Sequence, residues 1–376
     1  MSTIAGIRSR VQRALFHVEE SLPPLSAQHK RLVAVLEAIR IERQIPAGSL
    51  QWLGRKRKDR RALGRAFIAK ALGNPPPTKA LSARLTVDRT LRQLCGWEQG
   101  RPVPGESCFS RAFAEFAALG LNDRVQAVLV EAHSQDALVC HVSRDSTEIE
   151  AREKPVPKQN AAPSRSGPGR PKQGDVRPPK PAKRLERQYL QTAAEALAEL
   201  PTACDVGAKR DRKGRVHHWV GYKFHVDIGD GGLPLAALTT SASMHDSQAA
   251  IPLTKLTAAR GVVSLYDLMD SAYDAEIIRQ VSREQGHVPI IDANPRRGEA
   301  RPMAADRARR YRQRSQSERF TSDLKDNHGG KMVRVRGQPK VHTHLMLGLL
   351  VIFAKALVGL SWSGRPARHQ QSQEGK

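Results

Sequence analysis

Four side chains near the C-terminus are spaced so that one helix would present them together. Tyr311, Arg314, Glu318 and Lys325 follow the pattern Tyr-x2-Arg-x3-Glu-x6-Lys. At about 100° per helical residue, these four positions fall within roughly 60° of one another. A carboxylate beside two cations and a phenol suits metal-assisted phosphoryl transfer, because the carboxylate can bind Mg²⁺ and the donors can bind phosphates. A solvated helix face with a chance charge pattern is the alternative.

Two more carboxylates follow apolar segments that have the pattern of buried strands. Asp145 comes three residues after the segment 137–142, and Asp270 comes directly after the segment 262–269. Apolar segments of this length are typical of buried strands, and the residue that follows such a strand lies at an edge of the sheet. We therefore expect both carboxylates at a sheet edge, side by side if their strands are neighbours.

Taken together, these segments resemble bacterial insertion-sequence transposases of the DDE type, in the branch with the Tyr-Arg-Glu signature. Several motifs in the same order are far more specific than any one of them. The resemblance covers about residues 140–355 and, more weakly, residues 50–120. Its matching stretches are residues 144–155, 219–225, 241–247, 268–274 and 311–325.

The resemblance implies a fold, an activity and a site. It implies a ribonuclease H-like catalytic domain that cleaves terminal inverted repeats and transfers the DNA strand into target DNA, in the bacterial cytoplasm at the nucleoid. Asp145, Asp270 and Glu318 are then the expected catalytic residues and metal ligands. The expected cofactor is Mg²⁺, replaceable by Mn²⁺, and two ions are expected because this chemistry uses a pair. Asp323 and Asp267 are weaker candidates, since each points to another face of its helix or strand.

The predicted DNA contacts form two groups. Around the carboxylates, Tyr311, Arg314 and Lys325 are expected to contact phosphates or an unpaired base near the cleaved end. Lys223 lies on a predicted strand nearby and is a further candidate, while Asp246 is expected to cap a helix. The second group consists of cations outside the catalytic region: Arg55, Arg57, Arg111 and Arg170.

The overall charge points to a polyanionic partner. The 376 residues carry a formal net charge of +25, with an isoelectric point of about 10.5, which is typical of proteins that bind nucleic acid. The expected partner is double-stranded DNA, bound by a homodimer because two element ends must be paired, and no small-molecule substrate is expected. The four cysteines form no Cys-x-x-Cys pair, so neither a zinc site nor a disulfide framework is indicated.

No membrane segment is expected. The N-terminus lacks a cationic start followed by an apolar stretch, so it does not have the pattern of a secretory signal. The longest apolar run, residues 345–353, is too short to span a bilayer and is followed by Lys355. It is instead predicted to be a buried helix that closes the catalytic core.

Residues 1–135 are predicted to be an all-α DNA-binding domain. Helices are expected over about 27–43, 60–72 and 81–94, and a further helix near Ser107, which would be its N-cap. A helix, a turn and a Ser-capped helix are compatible with a helix-turn-helix that presents Arg111 to a DNA groove. A packing or dimerisation module is the alternative.

Residues 136–360 are predicted to form the mixed α/β, ribonuclease H-like domain. Strands are expected at 216–228, 233–240, 262–269 and 288–291, with helices at about 185–200, 246–259, 274–285 and 302–325. Within this domain, residues 151–188 contain eight prolines and eleven Lys or Arg, a composition that cannot bury a core. They are predicted to be a disordered insertion in which Arg170 either enters a minor groove or belongs to a plain charged linker. Residues 361–376 are predicted to be a disordered tail.

Two other functions are compatible with parts of this pattern. A DNA-binding regulator without catalysis, or a decayed copy, would need the basic surface but not three carboxylates. A ribonuclease H-like nuclease would need the same metals but would not join strands, and it would explain the N-terminal helices less well.

Overall fold

The computed structural model describes most of the chain, and the gaps include three of the predicted DNA contacts. The described ranges are 3–21, 24–46, 58–73, 77–97, 102–134, 138–157, 181–210, 213–294, 302–331 and 333–359. Arg55, Arg57, Arg170 and the predicted tail at 361–376 lie outside them. The predictions for these residues therefore remain predictions.

The N-terminal part is helical, as predicted. Its elements are α1 (Thr3–Ser21), α2 (Ala27–Ile39), α3 (Arg60–Gly73), α4 (Thr78–Val87), α5 (Arg89–Leu94), α6 (Glu106–Ala118) and α7 (Leu121–Ser134). Neither α1 nor α7 was among the predicted helices.

Three helix boundaries differ from the sequence prediction, each for a local reason. Helix α2 ends at Ile39 because Arg40 adopts a left-handed conformation with φ of 49°. The single helix predicted over 81–94 is broken at Asp88, whose side chain accepts a hydrogen bond from the Leu91 amide at 2.8 Å and starts α5. Helix α6 has Gly105 as its N-cap, so Ser107 lies inside its first turn.

The C-terminal part is built on one six-stranded mixed sheet. Its strands are β1 (Val139–Glu150), β2 (Asp205–Arg210), β3 (Val216–Ile228), β4 (Pro234–Ser241), β5 (Ser264–Met269) and β6 (Val288–Ile291). The order is β2-β3-β1-β5-β6, with β4 also paired to β3. Strands β1, β5 and β6 are parallel and the other pairings are antiparallel, which confirms the predicted mixed α/β class.

The helices of this part follow the predicted order with two differences. They are α8 (Arg184–Leu190), α9 (Ala193–Ala198), α10 (Ser247–Ala259), α11 (Glu276–Glu284), α12 (Ala305–Tyr311), α13 (Ser315–Asn327) and α14 (Gln338–Val358). The helix predicted over 302–325 is divided by a 3-10 turn at Arg312–Arg314. The helix predicted over 185–200 is likewise divided, into α8 and α9, because Thr192 accepts a hydrogen bond from the Glu195 amide and starts α9. Helix α8 begins at Arg184, inside the range 151–188, where Glu186 closes a capping box with the Lys183 amide.

Strand β1 is longer than predicted and β2 was not predicted. The apolar run ends at Val142, but β1 continues to Glu150 because residues 143–150 pair with β3. Strand β2 has the polar sequence Asp-Val-Gly-Ala-Lys-Arg and exists through its pairing with β3. Cross-strand pairing therefore overrides local sequence in both cases.

Helix α14 is the central helix of the molecule. Leu350, Val351 and Phe353 pack in a cluster with the N-terminal helices, while Leu345 and Leu349 pack with the sheet and α13. A helix that is apolar on all sides is expected to be buried. By length and hydropathy α14 could cross a membrane, but 78% of its most apolar window is buried inside the protein, which makes it a core helix.

Candidate active site

The register of the parallel strands brings two of the predicted carboxylates level with each other. Ser143 of β1 is paired with Leu268 of β5. Asp145 and Asp270 each lie two residues further along, at the same edge. Asp270 directly follows β5, and its side chain accepts a hydrogen bond from the Ala272 amide at 3.0 Å, which sets its direction. Asp145, in contrast, lies within β1 rather than after it.

A buried ion pair holds this part of β1 in place. The Arg144 guanidinium donates two hydrogen bonds of 2.7 Å to the Asp227 carboxylate on β3, and both side chains are buried. Arg144 also donates to Thr254, and Thr257 donates to Asp227, which ties helix α10 to the pair. A bidentate pair whose remaining atoms are satisfied is rigid. The residue next to Asp145 is therefore fixed to both β3 and α10.

Helix α13 carries the third carboxylate across the sheet edge. Phe320 and Leu324 are buried in the cluster formed with β3 and α14, and Ser317 donates a hydrogen bond to the Arg314 carbonyl. These contacts direct the opposite side of the helix, with Glu318, towards β1. The Glu318 side chain is 65% exposed, so its position is the least constrained of the three.

Arg314 lies at the centre of the three carboxylates. Its Nη2 is 3.1 Å from Oδ1 of Asp145 and 3.5 Å from Oδ2 of Asp270, and its Nη1 is 3.3 Å from Oε1 of Glu318. The sequence predicted a phosphate contact for Arg314. In this structure its guanidinium instead lies between the carboxylates, where its positive charge offsets their negative charge.

Burial makes the two aspartates unusually weak acids. Burial raises the pKa of Asp145 to about 6, although the Arg314 guanidinium acts in the opposite direction. Burial also raises the pKa of Asp270, again opposed by Arg314. Two desolvated carboxylates at one edge stabilise any cation that lies between them.

Metal binding at this site should weaken as the pH falls below about 6. Below that pH the Asp145 carboxyl is protonated, and a neutral carboxyl is a poor ligand. We expect Mn²⁺ affinity to fall about tenfold per pH unit once the pH is below the pKa of this group. Titration calorimetry across this range measures it. An affinity that stays level from neutral pH through mildly acidic pH would contradict the expected role of Asp145.

The other residues predicted near the carboxylates have different surroundings. Tyr311 ends α12, and burial raises the pKa of its hydroxyl to about 12. Lys325 lies 3.6 Å from Glu148 of β1, three residues beyond Asp145. Lys223 donates to the Met244 carbonyl at 2.8 Å and to Asp246, so its ammonium group is already engaged within the protein.

The competing carboxylates also have partners. Asp323 accepts a hydrogen bond from Lys355 at 2.7 Å, and Asp267 lies 3.2 Å from His287. Neither belongs to the group around Arg314, as the sequence predicted. Asp246 stands at the N-cap position of α10, but its side chain makes no cap hydrogen bond and instead binds Lys223 at 2.9 Å. Asp246 is therefore the N-cap residue of α10, as predicted, but its carboxylate binds Lys223 and forms no cap hydrogen bond.

Of the predicted contacts in the N-terminal part, Arg111 is described and lies exposed on α6. Its guanidinium is 3.6 Å from the Cys108 sulfur, one turn before it. This position is compatible with a groove contact and does not test one.

Sequence reasoning missed Lys209. It lies on β2 and is exposed, and its charge lowers the pKa of both Asp145 and Asp270, against the larger effect of burial. The signal that could have found it is the basic run over residues 209–215, Lys-Arg-Asp-Arg-Lys-Gly-Arg.

The donor types at this edge fit a divalent cation, although the present arrangement does not form a closed site. Three carboxylates supply the oxygen ligands that Mg²⁺ and Mn²⁺ prefer. Within the described ranges, no group of three or more His, Cys, Asp or Glu side chains is close enough to hold a metal ion. Arg314 separates the carboxylates, so it must move before they can converge on an ion.

Comparison with known families decides the identity of the chain. The family model for the transposase DDE domain matches residues 140–354, more than half of the chain. The chain belongs to this family. Neither a search of curated proteins nor a search of solved structures returned a match.

The family match agrees with the geometry at the sheet edge. The matched range begins in β1 and ends in α14, so it contains all three carboxylates and every strand of the sheet. The transposase therefore has a ribonuclease H-like DDE domain, and its helical N-terminal part precedes that domain. Proteins of this family act on DNA and generally use divalent metal ions.

Proposed function

We propose that this transposase cleaves the terminal inverted repeats of its own element and transfers the cleaved strand into target DNA. The observation that carries the proposal is the meeting of Asp145, Asp270 and Glu318 around Arg314. These three side chains come from β1, the end of β5 and α13, and nothing in the local sequence requires them to meet. A regulator without catalysis would have no use for this convergence.

The proposed roles follow from these positions. Asp145, Asp270 and Glu318 would hold divalent cations, two Mg²⁺ or Mn²⁺ ions in this proposal. Such ions activate an attacking hydroxyl and stabilise the leaving oxygen during phosphoryl transfer. Arg314, once displaced, would bind a phosphate near the cleaved bond, and Lys325 would contact the strand beside Glu148. Tyr311 would orient the same strand through its hydroxyl or its ring.

Cleavage and strand-transfer assays test this proposal. The substrate is labelled DNA with the sequences that flank the gene, incubated with Mg²⁺, Mn²⁺ or EDTA. Metal-dependent nicks at the repeat ends followed by joined products are the expected result. Nicks without joined products would favour a ribonuclease H-like nuclease. Tight binding to the ends without cleavage under any metal would contradict the proposed enzymatic activity.

Replacing Arg314 should separate its two proposed roles. Because its charge competes with a metal ion, Arg314→Gln should tighten Mn²⁺ binding in the absence of DNA by about tenfold, which corresponds to roughly 1.4 kcal/mol from three partly exposed ion pairs. The same change should weaken DNA binding, since a phosphate ligand is lost. Calorimetry with Mn²⁺ and binding assays in EDTA measure the two effects.

Arg319→Gln is the matched control for this variant. Arg319 lies on α13, five residues after Arg314, is exposed and is not one of the residues around the carboxylates. It should leave Mn²⁺ affinity unchanged. Equal or weaker Mn²⁺ binding by Arg314→Gln than by Arg319→Gln would show that Arg314 does not compete with the metal.

The assembly that we propose is a homodimer on DNA that acts at the nucleoid in the cytoplasm. Strand transfer requires two element ends in one complex, and two copies of the chain provide two carboxylate sites. Light scattering coupled to chromatography, with and without repeat-end DNA, measures this. A single copy of the chain on paired ends would contradict it.

A further inference from the structure

Strands β2 and β3 form a ribbon that leaves the sheet where β1 ends, five residues beyond Asp145. We define the ribbon as residues 205–210 and 216–221, which are paired antiparallel. Strand β1 ends at Glu150, opposite Gly221, so the remaining part of β3 continues beyond β1. In the part of the chain that the structure describes, β2 pairs with β3 alone.

Gly221 sets the point at which the ribbon departs. Its φ is +152°, and a Cβ atom at this position would lie 2.1 Å from the Ile149 carbonyl oxygen. No other residue fits so close to the backbone of β1. The direction of the ribbon relative to the sheet is therefore built into the fold rather than left to a flexible loop.

One face of the ribbon is organised by Trp219. Gly207 faces Trp219 across the ribbon and Lys209 faces His217, and because side chains alternate these four residues share a face. A Cβ atom at Gly207 would lie 2.3 Å from the Trp219 ring, so the indole rests directly on the backbone. The His217 ring stacks on Trp219, with centroids 6.3 Å apart and planes 12° apart.

This face is linked to the carboxylates through Lys223 and Asp246. The Lys223 ammonium group lies 5.9 Å from the centre of the Trp219 ring and is bonded to Asp246. Asp246 is in turn close enough to Asp270 to raise the pKa of that carboxyl, after the larger effect of burial. Lys209, on the same face of the ribbon, lowers the pKa of the Asp270 carboxyl. Trp219 and Lys209 therefore adjoin the edge that carries Asp145 and Asp270.

The chemistry of the face suits a nucleic-acid strand. Lys209 and His217 are exposed, and together they offer a cation and a ring beside a group of desolvated carboxylates. A DNA strand that approaches those carboxylates brings its own negative charge, which cations on the approach must offset. An exposed aromatic ring beside a cation is the arrangement that holds single nucleotides by stacking and phosphate contact.

We propose that this face of the ribbon is a DNA-binding surface on which Lys209 binds a backbone phosphate of the strand held at the carboxylates and His217 packs against the adjoining sugar or base. The inference rests on the proposed function, in that it assumes DNA as substrate. It adds a contact surface on β2 to the contacts proposed for Tyr311, Arg314 and Lys325.

Binding of duplex repeat-end DNA in EDTA, measured as a function of salt, tests the inference without catalysis. Lys209→Gln should reduce the slope of log affinity against log salt by about 1, as expected for one lost phosphate contact. Arg210→Gln is the matched control, because it removes the same charge from the next residue, on the opposite face of the ribbon. It should leave the slope unchanged.

Site-directed cross-linking tests the position of the contact. Cys108 and Cys140 are first replaced by Ser because they are partly exposed. Cys95 and Cys204 are retained because they are buried and therefore unreactive. Lys209→Cys should then attack DNA that carries a tethered mixed disulfide at the phosphate next to the cleavage site, which forms the protein–DNA disulfide and releases the small thiol, and Arg210→Cys should form at least about tenfold less of this product.

Three outcomes would overturn the ribbon contact, and one of them would also overturn the proposed function. If Lys209→Gln and Arg210→Gln reduce the slope equally, the ribbon contributes only its charge, and Lys209 makes no phosphate contact that depends on its face of the ribbon. A wild-type slope with Lys209→Gln, in a protein that binds and cleaves DNA, would overturn the ribbon contact and leave the proposed function intact. Absence of DNA binding by the wild-type protein would overturn the proposed function, and the ribbon contact with it.

Discussion

Replacing Asp270 with Asn should lower the rate of DNA cleavage by at least about a thousandfold while DNA binding in EDTA is preserved. Metal ions contribute several kcal/mol of transition-state stabilisation, and each 1.36 kcal/mol is about tenfold in rate. The substitution keeps the shape of the side chain and its hydrogen bond from the Ala272 amide, so the turn after β5 should persist. Single-turnover cleavage of labelled repeat-end DNA measures the effect.

Asp145→Asn and Glu318→Gln should lower cleavage to a similar extent, because residues that act as a unit in catalysis do not contribute additively. Asp274→Asn is the matched control. Asp274 lies four residues after Asp270 and pairs with Arg279 at 2.6 Å, away from the group around Arg314. Cleavage that survives in either aspartate variant, or that falls equally in Asp274→Asn, would contradict the assignment of the three carboxylates.

Replacing Asp227 with Ala should lower the free energy of unfolding by about 3–5 kcal/mol, because it leaves the Arg144 guanidinium buried without its partner. The Arg144 and Asp227 side chains are 2% and 0% exposed, so water cannot replace the lost hydrogen bonds. Urea unfolding followed by circular dichroism measures the loss. Cleavage should fall as well, since the backbone next to Asp145 loses its anchor to β3 and α10.

The double variant Arg144→Met/Asp227→Leu tests the reason for that loss. When both charges are removed, apolar side chains of similar volume avoid the unpaired charge, and the double variant should be more stable than Asp227→Ala. A double variant that is less stable than the single one would show that the ion pair itself, rather than the cost of breaking it, stabilises this region.

Much of the catalytic fold could be predicted because its local signals agree with its tertiary structure. Strand β3 has the predicted bounds, Val216–Ile228, since β-branched and aromatic residues fill it and a Gly-rich turn ends it. Strand β6 and helix α10 were also predicted to within one residue. In these elements the hydrophobic period and the turn residues point to the same structure.

Local sequence patterns did not predict those features of the structure that depend on residues distant along the chain. Strand β2 is polar and was missed, because pairing with β3 and the contact of Trp219 with Gly207 stabilise it rather than its own propensity. The surroundings of Lys223 could not be predicted either, while its predicted DNA contact stays a prediction. The sequence carries no information that Asp246 and the Met244 carbonyl lie within reach of its ammonium group.

By itself, the sequence determined the chemistry that is available to this protein: three carboxylates at the ends of apolar segments or on a basic helix, a large positive charge and a set of ordered motifs. Residue types and local periods determine which groups a strand or helix presents. Only the tertiary structure decided how these groups meet. The pairing of β1 with β5 brings Asp145 level with Asp270, and the packing of α13 on α14 inserts Arg314 between the carboxylates. Contacts between residues more than a hundred positions apart depend on strand register and helix packing, which no local pattern encodes.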